Sequence, residues 1–287
     1  MTAEKFTVYS FVGSQWAGVA HLALAQKGFS KDDYDIKEIN LVSADNFDPE
    51  YLKINPNGTV PSLVSPSLQA PLTESTEILR YLDSLRQNGS LVPTDTETKR
   101  KAQAIMDLVH SAQVGTNLIL FQARDNAEME AKKASPWNEF LTNRQKRLEK
   151  EHAVDPAHPF YVPKAAENGA VHKLYDSDVG DEHKSFYALT DSMYRDFATG
   201  VNKLETLLEL PYAASDHLTE ADFHAIPWLA HAMWGAGTVP TDIQDFSVLE
   251  ALVQKSVPEF KIGPRLRAWW SNVSETPAFK QVFAELH

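Results

Sequence analysis

The chain has 287 residues, a formal charge of -12, 43% hydrophobic residues and no cysteine. That length and apolar content allow one large or two ordinary domains, and the acidic balance without a dense Lys/Arg face excludes nucleic acid and anionic membrane surfaces as partners. The missing cysteine excludes disulfides, thiolate zinc sites and an enzyme thiol nucleophile, while the lack of a transmembrane-length apolar run or a signal-peptide pattern makes a cytoplasmic protein the expectation, with small molecules or other proteins as its partners.

Residues 6–11 (FTVYSF) read as a short apolar strand, and VGSQWAG leads into a helix, VAHLALAQKGF, closed by Lys27-Gly28. Ser14 sits at that helix start, where partial positive charge favours an anion. Its hydroxyl either caps the helix or donates a hydrogen bond to a thiolate, being far too weak an acid to act as a base. Residues 34–42 alternate like a half-buried strand. Residues 54–82 then read as strand, turn, strand and a capped helix, with Thr73 and Ser75 as cap residues. Val60-Pro61 opens that hairpin, and a cis bond there would leave the Val60 N–H and C=O outward, ready to pair with an extended peptide. At Thr73-Glu74-Ser75 the free N–H groups of a helix start suit a carboxylate, and the Glu74 carboxylate suits an ammonium. A trans proline and plain caps are the other reading. The order βαβ then ββα predicts a thioredoxin-like α/β domain over residues 1–88.

A linker (86–96) precedes a second, all-helical domain over 95–287. Apolar spacing predicts one long amphipathic helix over 98–124. Residues 125–184 begin charged and helix-compatible, then lose all period, which predicts a long loop acting as a lid, an outer cover or a subunit contact; Trp137, Phe140, Phe160, Tyr161 and Tyr175 give it aromatic surface. Helical spacing resumes over 186–210. Thr219 and Asp222 form a capping-box pattern that starts a buried helix, which Pro227 is expected to kink. His217, His224 and His231 recur every seven residues, roughly 10 Å apart along a helix, so no shared metal is expected.

NPNGTVPSLV followed by LTESTEILRYLD resembles the glutathione-binding half of the cytosolic glutathione transferases. VYSFVGSQWAGVAHLALAQKGF is similar to the first strand and helix of their serine-type members, and the capping box and GPRLRAWWSNVSETPAFKQVF resemble their folding box and last helix. The likeness covers about residues 5–124 and 186–285 and points to a fungal class with an insertion at 125–184. It implies a thioredoxin-like domain followed by an all-α domain, with glutathione as co-substrate and no metal. By the resemblance Ser14 is the catalytic residue, Trp16, Thr59, Val60, Pro61, Glu74 and Ser75 bind glutathione, and His110, Gln113, Asn117 and Phe121 line a pocket for a hydrophobic, aromatic electrophile. Basic residues usual in the first helix and before the proline dipeptide are absent, with Gly18, Val19, Ala20 and Thr59 in those places, so Asn46 and Lys53 stand as substitutes toward the glycyl carboxylate. Tyr9 and Ser10 are backup hydroxyls. The expected role is conjugation for detoxification by a cytoplasmic homodimer; a ligandin for aromatic compounds such as phenolics is the rival, with ether cleavage also open.

Overall fold

Alternate residues of β1 (Phe6–Ser10) point inward, Phe6, Val8 and Ser10 being buried, which makes it the centre of a sheet. β2 (Tyr34–Glu38) pairs parallel on one side and β3 (Ser62–Val64) antiparallel on the other, in the order β2-β1-β3. β2 is shorter and more exposed than its alternation predicts because it is the sheet edge. The second strand of the expected hairpin shrinks to one bridge, Leu63 with Leu72, closed by N–H···O bonds of 2.8 and 2.9 Å. The computed structural model describes residues 5–287; the expectation that the chain runs from its first residue straight into β1 falls partly on residues 1–4, outside them.

Helix α1 (Gln15–Gln26) buries Ala17 to Ala20 and Leu22 to Leu24 between the sheet and the helical part. Between β2 and β3 lie two elements the sequence did not announce, a 3-10 turn over Asp45–Phe47 and the one-turn α2 (Pro49–Leu52), capped by Asp48 accepting from Glu50 N–H at 2.8 Å. Helix α3 (Ser75–Ser84) takes Glu74, not Thr73 or Ser75, as its N-cap. The linker is pinned by a buried Lys27–Asp83 pair at 2.9 Å, with Asp83 also accepting from Leu91 N–H.

The single helix expected over 98–124 is two, α4 (Thr96–Val109) and α5 (Asn117–Phe121), separated by a 3-10 turn at Ala112–Val114. Polar anchoring breaks it: Trp228 Nε1 donates to Val114 O at 2.8 Å, and buried Thr116 donates to Gln15 Oε1 at 2.7 Å and accepts from His231 Nδ1 at 2.8 Å. The apolar spacing survives the break because both pieces face one core.

The long loop is also corrected, since residues 126–176 form α6 (Asn126–Lys133), α7 (Pro136–Val154) and α8 (Tyr161–Asp176). Pro136 and Pro163 lie in first turns, where a missing N–H costs nothing. α8 reads as aperiodic because its covered face is partly polar and its outer face partly apolar: Asn168 and Gly169 lie against α7 and Tyr161 joins Leu148 around Ala44, Phe47 and Leu52 of the α/β part, while Val162 and Ala166 are exposed.

The rest is helical: α9 (Asp181–Leu207), α10 (Glu220–Ala236), α11 (Ser247–Gln254), α12 (Pro264–Ser274) and α13 (Pro277–Val282). α10 is the hub, buried from Glu220 to Met233, and it continues on both sides of Pro227. A Cβ at Gly18 would lie 2.8 Å from Pro227 Cβ and 3.0 Å from Phe283, so only glycine lets α1 reach α10 there. The capping box is present as expected. Asp222 is fully buried and accepts from Ala213 N–H (2.7 Å), Thr219 N–H (2.8 Å) and Trp269 Nε1 (2.9 Å). Burial raises its pKa, and these donors offset part of the rise. Asp222→Ala strands three buried donors and removes the cap; a loss of about 3–4 kcal/mol is expected, read as a lower urea midpoint at unchanged slope.

Candidate functional site

Antiparallel pairing of Tyr9 with Ser62 places the C-terminal end of β1 beside the N-terminal end of β3. The loop to Ser14 and the Val60-Pro61 dipeptide therefore share one end of the sheet. Ser14 is the N-cap of α1 with extended backbone (φ -100°, ψ 118°), yet its side chain makes no capping bond, so the plain-cap reading does not hold. Its hydroxyl and the first-turn N–H groups face a partly exposed rim. Val60-Pro61 is cis. Neither the Val60 N–H nor its C=O has a hydrogen-bond partner among the described residues. At the start of α3, Glu74 is exposed and makes no capping bond, and Ser75 beside it is buried.

Trp16 and His110, assigned to different ligands from sequence, lie together: their rings stack at 3.9 Å and 11°. Sequence reasoning missed the histidine pair behind them. His110 Nε2 is hydrogen-bonded to His224 Nδ1 at 2.8 Å, and His224 Nε2 meets Thr76 Oγ1 at 3.3 Å, one residue past Ser75. Burial holds the His224 pKa well below the usual histidine value and lowers that of His110, so the pair is neutral at neutral pH. A hydrogen-bonded line thus runs from the rim of α4 through α10 to α3.

The remaining candidates divide. Asn46 is 2% exposed and its Nδ2 donates to Gly58 O at 2.6 Å, while its Oδ1 is buried without a partner. Lys53 is exposed and paired with Glu50 at 2.6 Å. The Thr59 carbonyl accepts from Tyr51 OH and Asn55 Nδ2, holding the turn before Val60. Gln113 packs toward Gly200 of α9, and Asn117 is exposed at the start of α5. Phe121 stacks on Phe140 at 5.3 Å and meets Trp137, which stands edge-on to Trp234. The backup hydroxyl Ser10 is buried against His21 Nε2 at 2.7 Å.

The insertion spans the molecule. From its Trp137 end among α5 and α10, α7 reaches the α/β part, where Arg147 pairs with Asp48 at 2.7 Å, Asn143 Nδ2 donates to Val42 O, and Phe160 lies against Gly58. Gly58 has φ +60° and Phe160 2.7 Å from where a Cβ would stand. Of the three roles open from sequence, the helices join both parts next to the Val60 loop.

Residues 4–84 match the family profile described as the glutathione S-transferase N-terminal domain. Over those residues the chain is similar to the N-terminal domain of the glutathione S-transferases. It is similar to glutathione S-transferase Z1 of Arabidopsis thaliana (36% identity over 108 residues, 38% of this chain and 47% of that one) and to maleylacetoacetate isomerase of Rattus norvegicus (33% over 113 residues, 39% and 50%). The chain thus spans about half the length of the curated relatives it matches. Its fold is shared with β-etherase LigF from Sphingobium sp. strain SYK-6 (TM-score 0.62, 20% identity, 99% of each chain) and with a maleylacetoacetate isomerase from Methylobacterium extorquens AM1 with bound malonate and glutathione (TM-score 0.58, 19% identity, 97% of this chain and 96% of that one). The thioredoxin-like transferase fold expected from sequence is therefore borne out, and no described helix is long and apolar enough to cross a membrane.

His21 and His231 each have a pKa lowered by burial to about 4, with His287 adding repulsion to both. Their neutral forms are the folded ones. Because the unfolded histidines titrate near 6.5, this stability is complete above that pH and is lost as pH falls toward 4. Urea midpoints measured from neutral pH down to about pH 4.5 are expected to fall, each histidine contributing up to about 1.4 kcal/mol per pH unit; His231→Asn should flatten the curve.

Proposed function

We propose that this protein is a glutathione-dependent transferase that holds the glutathione thiol as a thiolate and adds it to hydrophobic, aromatic electrophiles. The observation that carries this reading is Ser14, a hydroxyl at the N-terminus of a 12-residue helix that is not used to cap it. The Val60 N–H and C=O offer an edge to the cysteinyl backbone, in the manner of an added strand. Glu74 takes the γ-glutamyl ammonium, and Ser75 with the first N–H groups of α3 takes its carboxylate.

With the ligand so laid, its sulfur falls at Ser14. The hydroxyl donates to the sulfur, and the helix N-terminus adds partial positive charge. A thiol pKa lowered by roughly two units from about 8.5 leaves most of it ionised at neutral pH, each unit corresponding to about 1.4 kcal/mol of preference for the thiolate. The thiolate then forms a carbon–sulfur bond to the electrophile, whose leaving group departs with the displaced electron pair. Phe121, Phe140, Trp137 and Trp234 form the nearby aromatic surface, which favours aromatic substrates, including ethers of the kind named in the β-etherase that shares the fold. Pairing into a homodimer and a detoxifying role in the cytoplasm belong to this reading on family grounds.

The test uses the absence of cysteine, since thiolate absorbance can then come only from the ligand. Titrating bound glutathione is expected to give a thiol pKa well below the free value, and Ser14→Ala should return it toward about 8.5 and lower turnover by about 10²-fold. Tight binding with an unshifted pKa would favour ligand carriage instead, and a Ser14→Ala protein at parental rate would sink the assignment.

A further inference from the structure

Arg144, midway along α7, has no acidic partner. Arg80, Arg124, Arg147 and Arg267 each hold a carboxylate at 2.6–2.8 Å. Among the described residues Arg144 has none within 4.0 Å, and its side chain makes no hydrogen bond. It is nonetheless held in place, its Cζ lying 4.4 Å from the ring centre of Phe47 and 5.1 Å from that of Phe140. Burial lowers its pKa to about 10, opposed by Glu167, and it stays charged at neutral pH. A guanidinium has five donors and a strong bias for planar two-point contact with a carboxylate. A half-buried one held between two rings without an acceptor is a position awaiting an anion.

A second unfilled position lies on the same turn. Asn46 precedes Phe47, and its buried Oδ1 has no donor. The Asn46 amide also binds Gly58 O, tying this turn to the segment that leads into Val60. An extended tripeptide spans roughly 10 Å. Laid with its γ-glutamyl end at α3 and its centre on Val60, its far end runs back toward Gly58 and the Asp45–Phe47 turn. That end carries an amide N–H and a carboxylate, the groups that Asn46 Oδ1 and Arg144 lack. Nothing on α1 competes for them, because Gly18, Val19 and Ala20 are buried against the core, and Lys53 is already paired with Glu50.

We propose that Arg144, supplied by the inserted helix α7, is the carboxylate anchor of the site and receives the glycyl carboxylate of glutathione. This rests on the glutathione reading above. The same guanidinium chemistry would serve a carboxylate on the second substrate, so the test separates the two.

Full-length wild type, Arg144→Met and Arg144→Lys are titrated calorimetrically with glutathione and with its glycyl ethyl ester, and thermal melts verify that each variant is folded. Wild type is expected to prefer the free acid about 10- to 100-fold. Arg144→Met should abolish that preference while leaving ester affinity unchanged, and Arg144→Lys should keep part of it. Equal wild-type affinity for acid and ester, or equal weakening of both in Arg144→Met, would overturn the proposal. Unchanged glutathione affinity with a raised KM for a carboxylate-bearing electrophile would also overturn it, moving the anchor to the second substrate. Wild type that binds neither compound would remove the glutathione reading itself, which no variant-specific result can do.

Discussion

The contact of α1 with α10 at Gly18 and Pro227 is the constraint on which the rest depends. Helix α10 is buried along its first four turns and is started by a fully buried aspartate, so its position is set by the core, not by any ligand. Gly18 lets α1 press its backbone against that helix, and the closeness fixes where the α1 N-terminus, and with it Ser14, must stand. The same contact leaves no room for a charged side chain at 18–20. At position 18 the packing accounts for the absence of the basic residue that the resemblance leads one to expect.

The first turn of α1 is tied into the helical part by two polar routes. Gln15 reaches Thr116 and through it His231, and Trp16 lies on His110, which is bonded to His224 and so to Thr76 of α3. Both routes consist of neutral groups with low water access, where a satisfied hydrogen bond is strong and an unsatisfied one costly. The helix starts on either side of the cleft are thereby held in register by the same buried residues of α10. Acid attacks these routes before the aliphatic core, since histidine is the group that must take up a proton there.

Much of this was legible in the chain. The βαβ order, the strand that follows Val60-Pro61 and the Thr219–Asp222 cap rest on local rules of turn, cap and alternation, and each appears where those rules place it. What failed was non-local. The 98–124 helix has unbroken apolar spacing, and only Trp228 and His231, more than a hundred residues away, reveal why it breaks. The α8 segment reads as loop because its covered face carries Asn168 and His172 while Val162 and Ala166 lie outside, so no single apolar stripe is visible in the sequence. Arg144 falls in a stretch legible only as charged and helix-compatible; its contact with Phe47 is one that no spacing rule connects to it. Asn46 stands in the Asp45–Phe47 turn, where its amide serves Gly58.

The cover that α7 and α8 lay over the Asp45–Phe47 turn has a consequence for synthesis on the ribosome. Phe47 and Leu52 share a small core with Leu148 and Tyr161, and the Tyr161 hydroxyl donates to Phe47 O across 114 positions of sequence. At roughly 5–20 residues per second, those partners emerge about 5–25 s after Phe47 does. During that interval Phe47 and Leu52 have emerged without the partners that cover them. Nascent chains of this protein therefore expose, for that interval, an apolar face that the inserted helices later cover.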